Sequence, residues 1–307
     1  MIRRPPRSTQ SRSSAASDVY KRQEDDRVFI TSFLELQDVN RGKIDFKRAF
    51  DNSGKFLVGF SSLSDDYRRV NNLNTYQTED LPVGGWGTAV IGKIFPIGGK
   101  GESYYYVAGQ GERSWYLGNV YLFAQLTGAG AFQQSRGLYT YQEFMGKAFW
   151  NINNKMLIAS RVRQQTVWNW RALRQLILDN DSGLRGYAVN SFEGDNRMIF
   201  NTELRYYPDW TVWIFKLSPV LFWDIGTVWN QTIQLGKTVW HNSTGFGIRF
   251  FNMKGYGEDS IFRLDFAFNF DEMKFGGVIF TTNQLFSVFE KHEFKLPSLY
   301  GTEFDYE

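Results

Sequence analysis

Apolar and polar residues alternate with period two along most of the chain beyond residue 27. The clearest run is 261–270, where Phe262, Leu264, Phe266, Phe268 and Phe270 alternate with Arg263, Asp265, Ala267 and Asn269. That leaves one apolar face and one largely polar face, the pattern of a β-strand. In 201–207, Thr202, Leu204 and Tyr206 oppose Asn201, Glu203 and Arg205. In 244–250, Phe246, Ile248 and Phe250 oppose Gly245, Gly247 and Arg249. A looser case is 156–165, with Ile158 and Val162 against Leu157, Arg161 and Arg163. The pattern predicts about twelve strands, centred near Ser32, Val58, Ala89, Tyr106, Leu122, Phe144, Ser160, Glu203, Leu221, Gly247, Phe266 and Ile279. Turn-forming residues predict breaks at 52–54, 98–101, 151–154 and 255–257. No helical period or low-complexity linker appears after residue 23, so the predicted fold class is all-β and antiparallel.

Alternation alone does not say which face is buried. A soluble sandwich packs its apolar faces together, whereas a transmembrane barrel turns them outward to lipid. Strand length favours the barrel. Several segments approach the roughly 9–11 residues that cross a bilayer, against about 5–6 in soluble sheets. Aromatic residues sit near segment ends, as at Trp210, Trp213, Trp223, Trp229 and Tyr104–Tyr106, the places of a membrane-interface girdle.

Composition agrees. Aromatic residues make up 18% of the 307 and charged residues 22%. No run of 18 apolar residues predicts a membrane-spanning helix. The mean hydropathy of −0.39 is compatible with a barrel in which every second side chain faces inward. There is no cysteine, which excludes disulfides and thiolate chemistry, and with two histidines (His241 and His292) a histidine-rich metal site is not expected.

Residues 1–23 are rich in Arg and Ser, with one acid and no apolar core, which does not match a secretory signal. The composition is that of a transit peptide, but the string looks more like a translated sequencing adapter, a non-native segment to be set aside. Without its six basic residues and Asp18, the remaining 29 basic and 31 acidic residues carry a net charge of −2 in place of +3. The overall basicity therefore does not point to nucleic acid.

The longest predicted connection is 168–196. It holds Trp168, Trp170, Leu173, Leu176, Ile177 and Leu178, too apolar for disorder, so it needs a surface to pack on. It also holds Asp181-Ser182-Gly183-Leu184-Arg185-Gly186-Tyr187, followed by Phe192-Glu193-Gly194-Asp195 and by the strand with Glu203. Further on, Phe222-Trp223-Asp224-Ile225-Gly226 places a lone acid in an apolar strand. Asp224 and Gly226 share one face and Trp223 and Ile225 the other. A carboxylate facing lipid is costly, so Asp224 is expected on the inner face. An isolated Arg-Gly pair is ordinarily a solvated turn; the order and spacing of the whole set argue for pairing.

These stretches resemble the signature of the BamA/TamA outer-membrane assembly superfamily, the bacterial surface antigen proteins. The resemblance covers about 28–286 and is strongest from Gly183 onward. It implies that the motif loop folds into the barrel lumen, with Arg185, Gly186 and Tyr187 in the motif positions and Arg185 pairing with Asp224. Glu203 and Asp265 are inner-face acids able to share the arginine. Gly183 and Gly186 would permit a tight backbone and a close approach to the wall, and Gly226 matches the motif beside Asp224. Five strands follow the loop, as in the family. About seven precede it where eleven would be expected, so about 12 strands are present of an expected 16. Residues 24–286 are then the C-terminal part of an outer-membrane barrel, and residues 24–307 alone are not expected to refold into a stable closed monomer. Phe286 fits the terminal phenylalanine of the last strand, with 287–307 a C-terminal extension.

The resemblance implies a location in the bacterial outer membrane and a part in inserting or translocating proteins there. It implies no enzymatic activity and no cofactor. The implied partners are outer-membrane lipid, nascent or translocated outer-membrane proteins and accessory periplasmic subunits. One alternative is a barrel serving as anchor or exit for an upstream hydrolase, patatin-like or phosphoesterase. Another is a passive porin-like barrel. Gly109-Gln110-Gly111 and Gly128-Ala129-Gly130 lie in strand patterns rather than opening a helix, so they are not phosphate loops. Basic residues form no stripe, so no nucleic-acid partner is expected.

Overall fold

The computed structural model describes residues 26–38, 52–73, 76, 78–97, 103–134, 136–169, 176–254 and 261–287. The described residues form an all-β structure dominated by one antiparallel sheet of thirteen strands. Before the motif loop come β1 (Asp26–Asp38), β2 (Asn52–Asn71), β3 (Thr78–Pro96), β4 (Tyr104–Leu117), β5 (Val120–Gln133), β6 (Arg136–Asn153) and β7 (Met156–Trp168). The loop carries a short hairpin, β8 (Leu176–Leu178) and β9 (Phe192–Gly194). After it come β10 (Asn196–Tyr206), the two-residue β11 (Thr211–Val212), β12 (Phe215–Trp229), β13 (His241–Asn252), β14 (Ile261–Asn269) and β15 (Lys274–Thr282). Twelve long strands pair in chain order, β7 meeting β10 directly, and β11 pairs with β12. Each expected centre falls inside one of the twelve.

Several expected boundaries move. Residues 52–54 are not a turn but the start of β2, paired with the end of β1. β6 runs on to Asn153, so only Asn154 and Lys155 turn. The connection 168–196 contains the β8–β9 hairpin. Phe286 is not in the last strand, because β15 stops at Thr282 and the chain then turns inward at Asn283, whose φ is +68°. The expected breaks at 98–101 and 255–257, and residues 1–23 and 288–307, lie outside the described residues. Both Gly-Xaa-Gly pairs are within strands, in β4 and β5.

The sheet curls strongly. One apolar cluster joins Val70 and Leu81 of β2 and β3, Tyr121, Phe149 and Leu157 of β5–β7, Phe251 and Ile261 of β13 and β14, and Phe286. It fills the end of the concave interior opposite the motif loop, here called the far end. A second cluster, with Leu57, Val90, Ile94, Tyr106 and Tyr141, lies on the inner face of β2–β6 towards the loop end. Among the described residues β1 and β15 do not pair with each other.

Polarity across β10 and β12–β14 is inverted relative to a soluble domain. In β14 it is the polar set, Arg263, Asp265 and Asn269, that is buried with Ala267. Arg205, Arg249, Glu203, Asp224 and Asp265 have no solvent exposure. Large apolar residues such as Leu34, Val107, Leu117, Leu221, Trp223, Phe246 and Phe280 stand on the convex face, Phe280 at 68% exposure.

Candidate functional site: an arginine-centred charge cluster under the motif loop

The loop is a built structure. Asp179 ties it together: one carboxylate oxygen accepts the Ser182 amide (3.0 Å) and the other the Asn190 amide (2.9 Å). Its carbonyl accepts the Leu184 amide (2.8 Å). Gly183 and Gly186 have φ of +114° and +88°, left-handed conformations that glycine adopts without strain. Gly186 also lies against β15, where a Cβ on Gly276 would sit 2.7 Å from the Gly186 Cα. Gly276 is the residue left unpaired by the bulge between β14 and β15, so the irregularity makes room for the loop. Gly226 does the same on β12: a Cβ there would meet the Leu178 side chain at 2.9 Å. Leu184 and Tyr187 pack with Leu178 and Ile199.

This anchoring delivers Arg185, fully buried, to the inner wall. Its Nε and Nη2 donate to the two oxygens of Asp224 (2.7 and 2.8 Å), a bidentate fork. Its Nη1 donates to Glu203 (2.8 Å) and Asp265 (3.2 Å). The guanidinium lies 3.6 Å from the centroid of the Phe222 ring, a cation–π contact. Burial by itself would lower the Arg185 pKa, but the attraction of Asp224, Glu203 and Asp265 outweighs it and raises the pKa, so the arginine stays charged.

The acids are shared with arginines of the wall. Arg249 bonds Asp265 and, at 3.2 Å, Glu203, while Arg205 Nε donates to Glu203 (2.8 Å). Arg263 Nε lies 3.4 Å from Asp265. Asn201 donates both to Asp224 (2.7 Å) and to the Gly183 carbonyl (2.8 Å), joining wall to loop. Arg161 in turn donates to Asn201 (2.6 Å). Four strands thus contribute charge to one centre and the loop supplies its middle.

The structure brings Gly183, Leu184, Arg185, Gly186, Tyr187, Glu203, Asp224 and Gly226 together. Tyr187 stands apart from the charges. Its hydroxyl donates to the Asn242 carbonyl (3.0 Å), and burial followed by Asp271 raises its pKa. Its ring meets Phe192 and His241, which stack on each other at 3.6 Å. Arg205, Arg249, Asn201 and Asp179 were not singled out as partners from sequence. The first three were legible as inner-face positions by parity. Asp179 carried no signal beyond the Asp-Asn-Asp composition of a turn.

No family model matches the chain, and no curated protein matches it.

Geometrically the cluster is a brace. Its ionised groups are paired and buried, with no nucleophile poised beside a base and no open position for a reacting group among these contacts.

Proposed function

We propose that the chain is a transmembrane β-barrel segment of the BamA/TamA type that takes part in inserting or translocating proteins at the bacterial outer membrane. The observation that carries this reading is the loop arginine seated in the acids of the inner wall, at the motif positions the resemblance names. The inverted polarity of β10 and β12–β14 supports the membrane part. An apolar convex face suits hydrocarbon, and buried charge suits an interior closed off from it. The exposed aromatics Trp210 and Trp213 beside the β10–β12 connection and Trp223 on the convex face, 54–84% exposed, suit a membrane interface. The apolar cluster across the far end disfavours a passive open pore. The work is non-enzymatic in this reading: the barrel wall, braced by Arg185, offers a prepared surface to client proteins at the lipid boundary.

The test is reconstitution of the chain into lipid vesicles, followed by addition of an unfolded outer-membrane barrel protein. Vesicles carrying the chain should fold the client faster than empty vesicles, and the gain should fall with Arg185→Glu. Vesicles that contain the folded chain, with its Leu184 and Asn190 amides protected from exchange, yet fold the client no faster than empty ones would overturn the assembly reading. Failure of the chain to float with lipid while its Leu184 and Asn190 amides stay protected from hydrogen exchange, and so while it is folded, would overturn the membrane reading as well.

A further inference from the structure

Beyond β15 the chain crosses the interior. The Asn283 amide donates to the Ile261 carbonyl on β14 (2.9 Å). Among the described residues 284–287 join no strand and are held by side chains of the wall. Arg249 Nε donates to Gln284 Oε1 (3.2 Å), Arg205 Nη2 to the Phe286 carbonyl (3.0 Å) and Lys147 Nζ to the Ser287 carbonyl (3.2 Å). The segment therefore reaches from β14 to β6. Phe286 is buried, its ring 6.0 Å from that of Phe149 and 5.2 and 5.5 Å from the guanidinium groups of Arg205 and Arg161.

The arginines that hold this segment also reach the acids that hold the motif loop. Arg205 Nε and Nη2 each lie 2.8 Å from Glu203 Oε2, while Glu203 Oε1 accepts from Arg185. Arg249 bonds one oxygen of Asp265, and the other accepts from Arg185. Arg161 donates to Asn201 (2.6 Å) and reaches the Ser182 carbonyl of the loop (3.5 Å). The seat of the segment is incompletely satisfied. Arg205 Nη1 and Gln284 Nε2 are buried without a partner, whereas Arg185 Nε, Nη1 and Nη2 each have an acceptor. Buried donors left without acceptors raise the energy of the seated arrangement.

If the segment lifts away, Arg205 loses the Phe286 carbonyl and the ring beside it. The acceptor still bonded to it is Glu203, whose other oxygen Arg185 holds. Arg249 loses Gln284 and keeps Asp265 and Glu203, both also held by Arg185. We propose that residues 283–287 are a strap that regulates the motif loop. Seated, the strap occupies Arg205 and Arg249 and leaves Glu203 and Asp265 to share Arg185. Released, it frees both wall arginines to compete for those acids, and the loop loosens. The coupling rests on the charge cluster and holds whether or not the convex face meets lipid.

The test is hydrogen exchange in the full chain. Phe286→Ala should quicken exchange at the Leu184 and Asn190 amides about tenfold, the equivalent of one hydrogen bond. Leu81→Ala, in the same apolar cluster but on β3, should leave those amides unchanged. Adding Arg205→Met to Phe286→Ala removes a competing guanidinium and should return the loop amides to within about twofold of the unaltered chain. Unchanged exchange with Phe286→Ala, equal quickening with Leu81→Ala, or no rescue by Arg205→Met would overturn the coupling. Should these variants fail to fold, Asp179→Ala decides, because it unties the loop without touching the strap. Coupled equilibria are reciprocal, so the Asn283 amide at the root of the strap should then exchange about fivefold faster. An Asn283 amide that exchanges at its original rate would overturn the coupling equally.

Discussion

The two halves of the curled wall present the same outer face and opposite inner faces. Outside, both alternate in the same way, with Val107 and Leu117 on β4 as exposed as Leu221 and Trp223 on β12. Inside, β2–β6 bury Leu57, Val90, Tyr106 and Ala129 as a mainly apolar core, with Glu79, Glu143 and Lys147 buried beside it. The inner faces of β10, β12, β13 and β14 bury Glu203, Arg205, Asp224, Arg249 and Asp265. The apolar half is satisfied mostly by contact; its few buried charges are met singly, Glu143 by Arg163 (2.9 Å) and Lys147 by the Ser287 carbonyl (3.2 Å). The charged half is satisfied only if each group finds its partner, because an unpaired buried charge costs far more than a small cavity. The motif loop is what the charged half requires. Without Arg185, the carboxylates of Asp224, Glu203 and Asp265 would lose a shared cation. One wall is thus indifferent to the loop and the other is built around it.

The sharpest way to break that contrast is Arg185→Glu, which puts a fourth carboxylate among three. Loss of a buried partner alone costs about 3–5 kcal/mol, and like-charge repulsion adds to it, so the loop should detach and become the first site of limited proteolysis. Adding Asp224→Arg should restore protection only in part, because Glu203 and Asp265 still face the new glutamate. A double variant no better protected than either single one would show that the pairing is wrong.

Leu57→Ala, on the apolar wall, should cost about 2–5 kcal/mol in the opening free energy of its own strands. It should leave protection of the Leu184 and Asn190 amides unchanged, and a matching loss there in hydrogen exchange would erase the distinction between the halves. Gly226→Ala comes next. Its methyl would press on Leu178, and overpacking of this kind costs about 1–3 kcal/mol, read as faster exchange in the β8–β9 hairpin with β4–β6 unaffected. The smallest effect belongs to the exposed pair Arg69–Asp80, 77% and 60% exposed, where Arg69→Ala should change stability by at most about 1 kcal/mol and lose even that in high salt.

Much of the strand arrangement was legible because the period-two pattern fixes parity residue by residue. Phe262 to Phe270 against Arg263 to Asn269 declares two faces without saying which one is buried, and the curl supplies that answer. Arg185 and Asp224 were legible through the resemblance and through parity, since an acid flanked by Trp223 and Ile225 has one sensible face. The contacts that cross the interior were not legible. Tyr76 meets Leu217 from 141 positions away, and nothing local in either segment announces the other. Phe286 misled for the same reason. The resemblance placed it as the terminal phenylalanine of the last strand, yet its ring is held 5.2 Å from the Arg205 guanidinium and its carbonyl accepts from Arg205 at 3.0 Å. Those partners exist only once the sheet has curled.

The seating of Arg185 in the wall is tested most directly by a double-mutant cycle of Arg185→Ala and Asp224→Ala, read as the opening free energy of the loop from native-state hydrogen exchange at the Leu184 and Asn190 amides. Groups bonded this closely in a buried site should couple by about 2–3 kcal/mol, so the double variant should lose far less than the sum of the singles. Additivity within about 0.5 kcal/mol would mean that the loop is held by its apolar contacts and that the charge cluster is not its anchor.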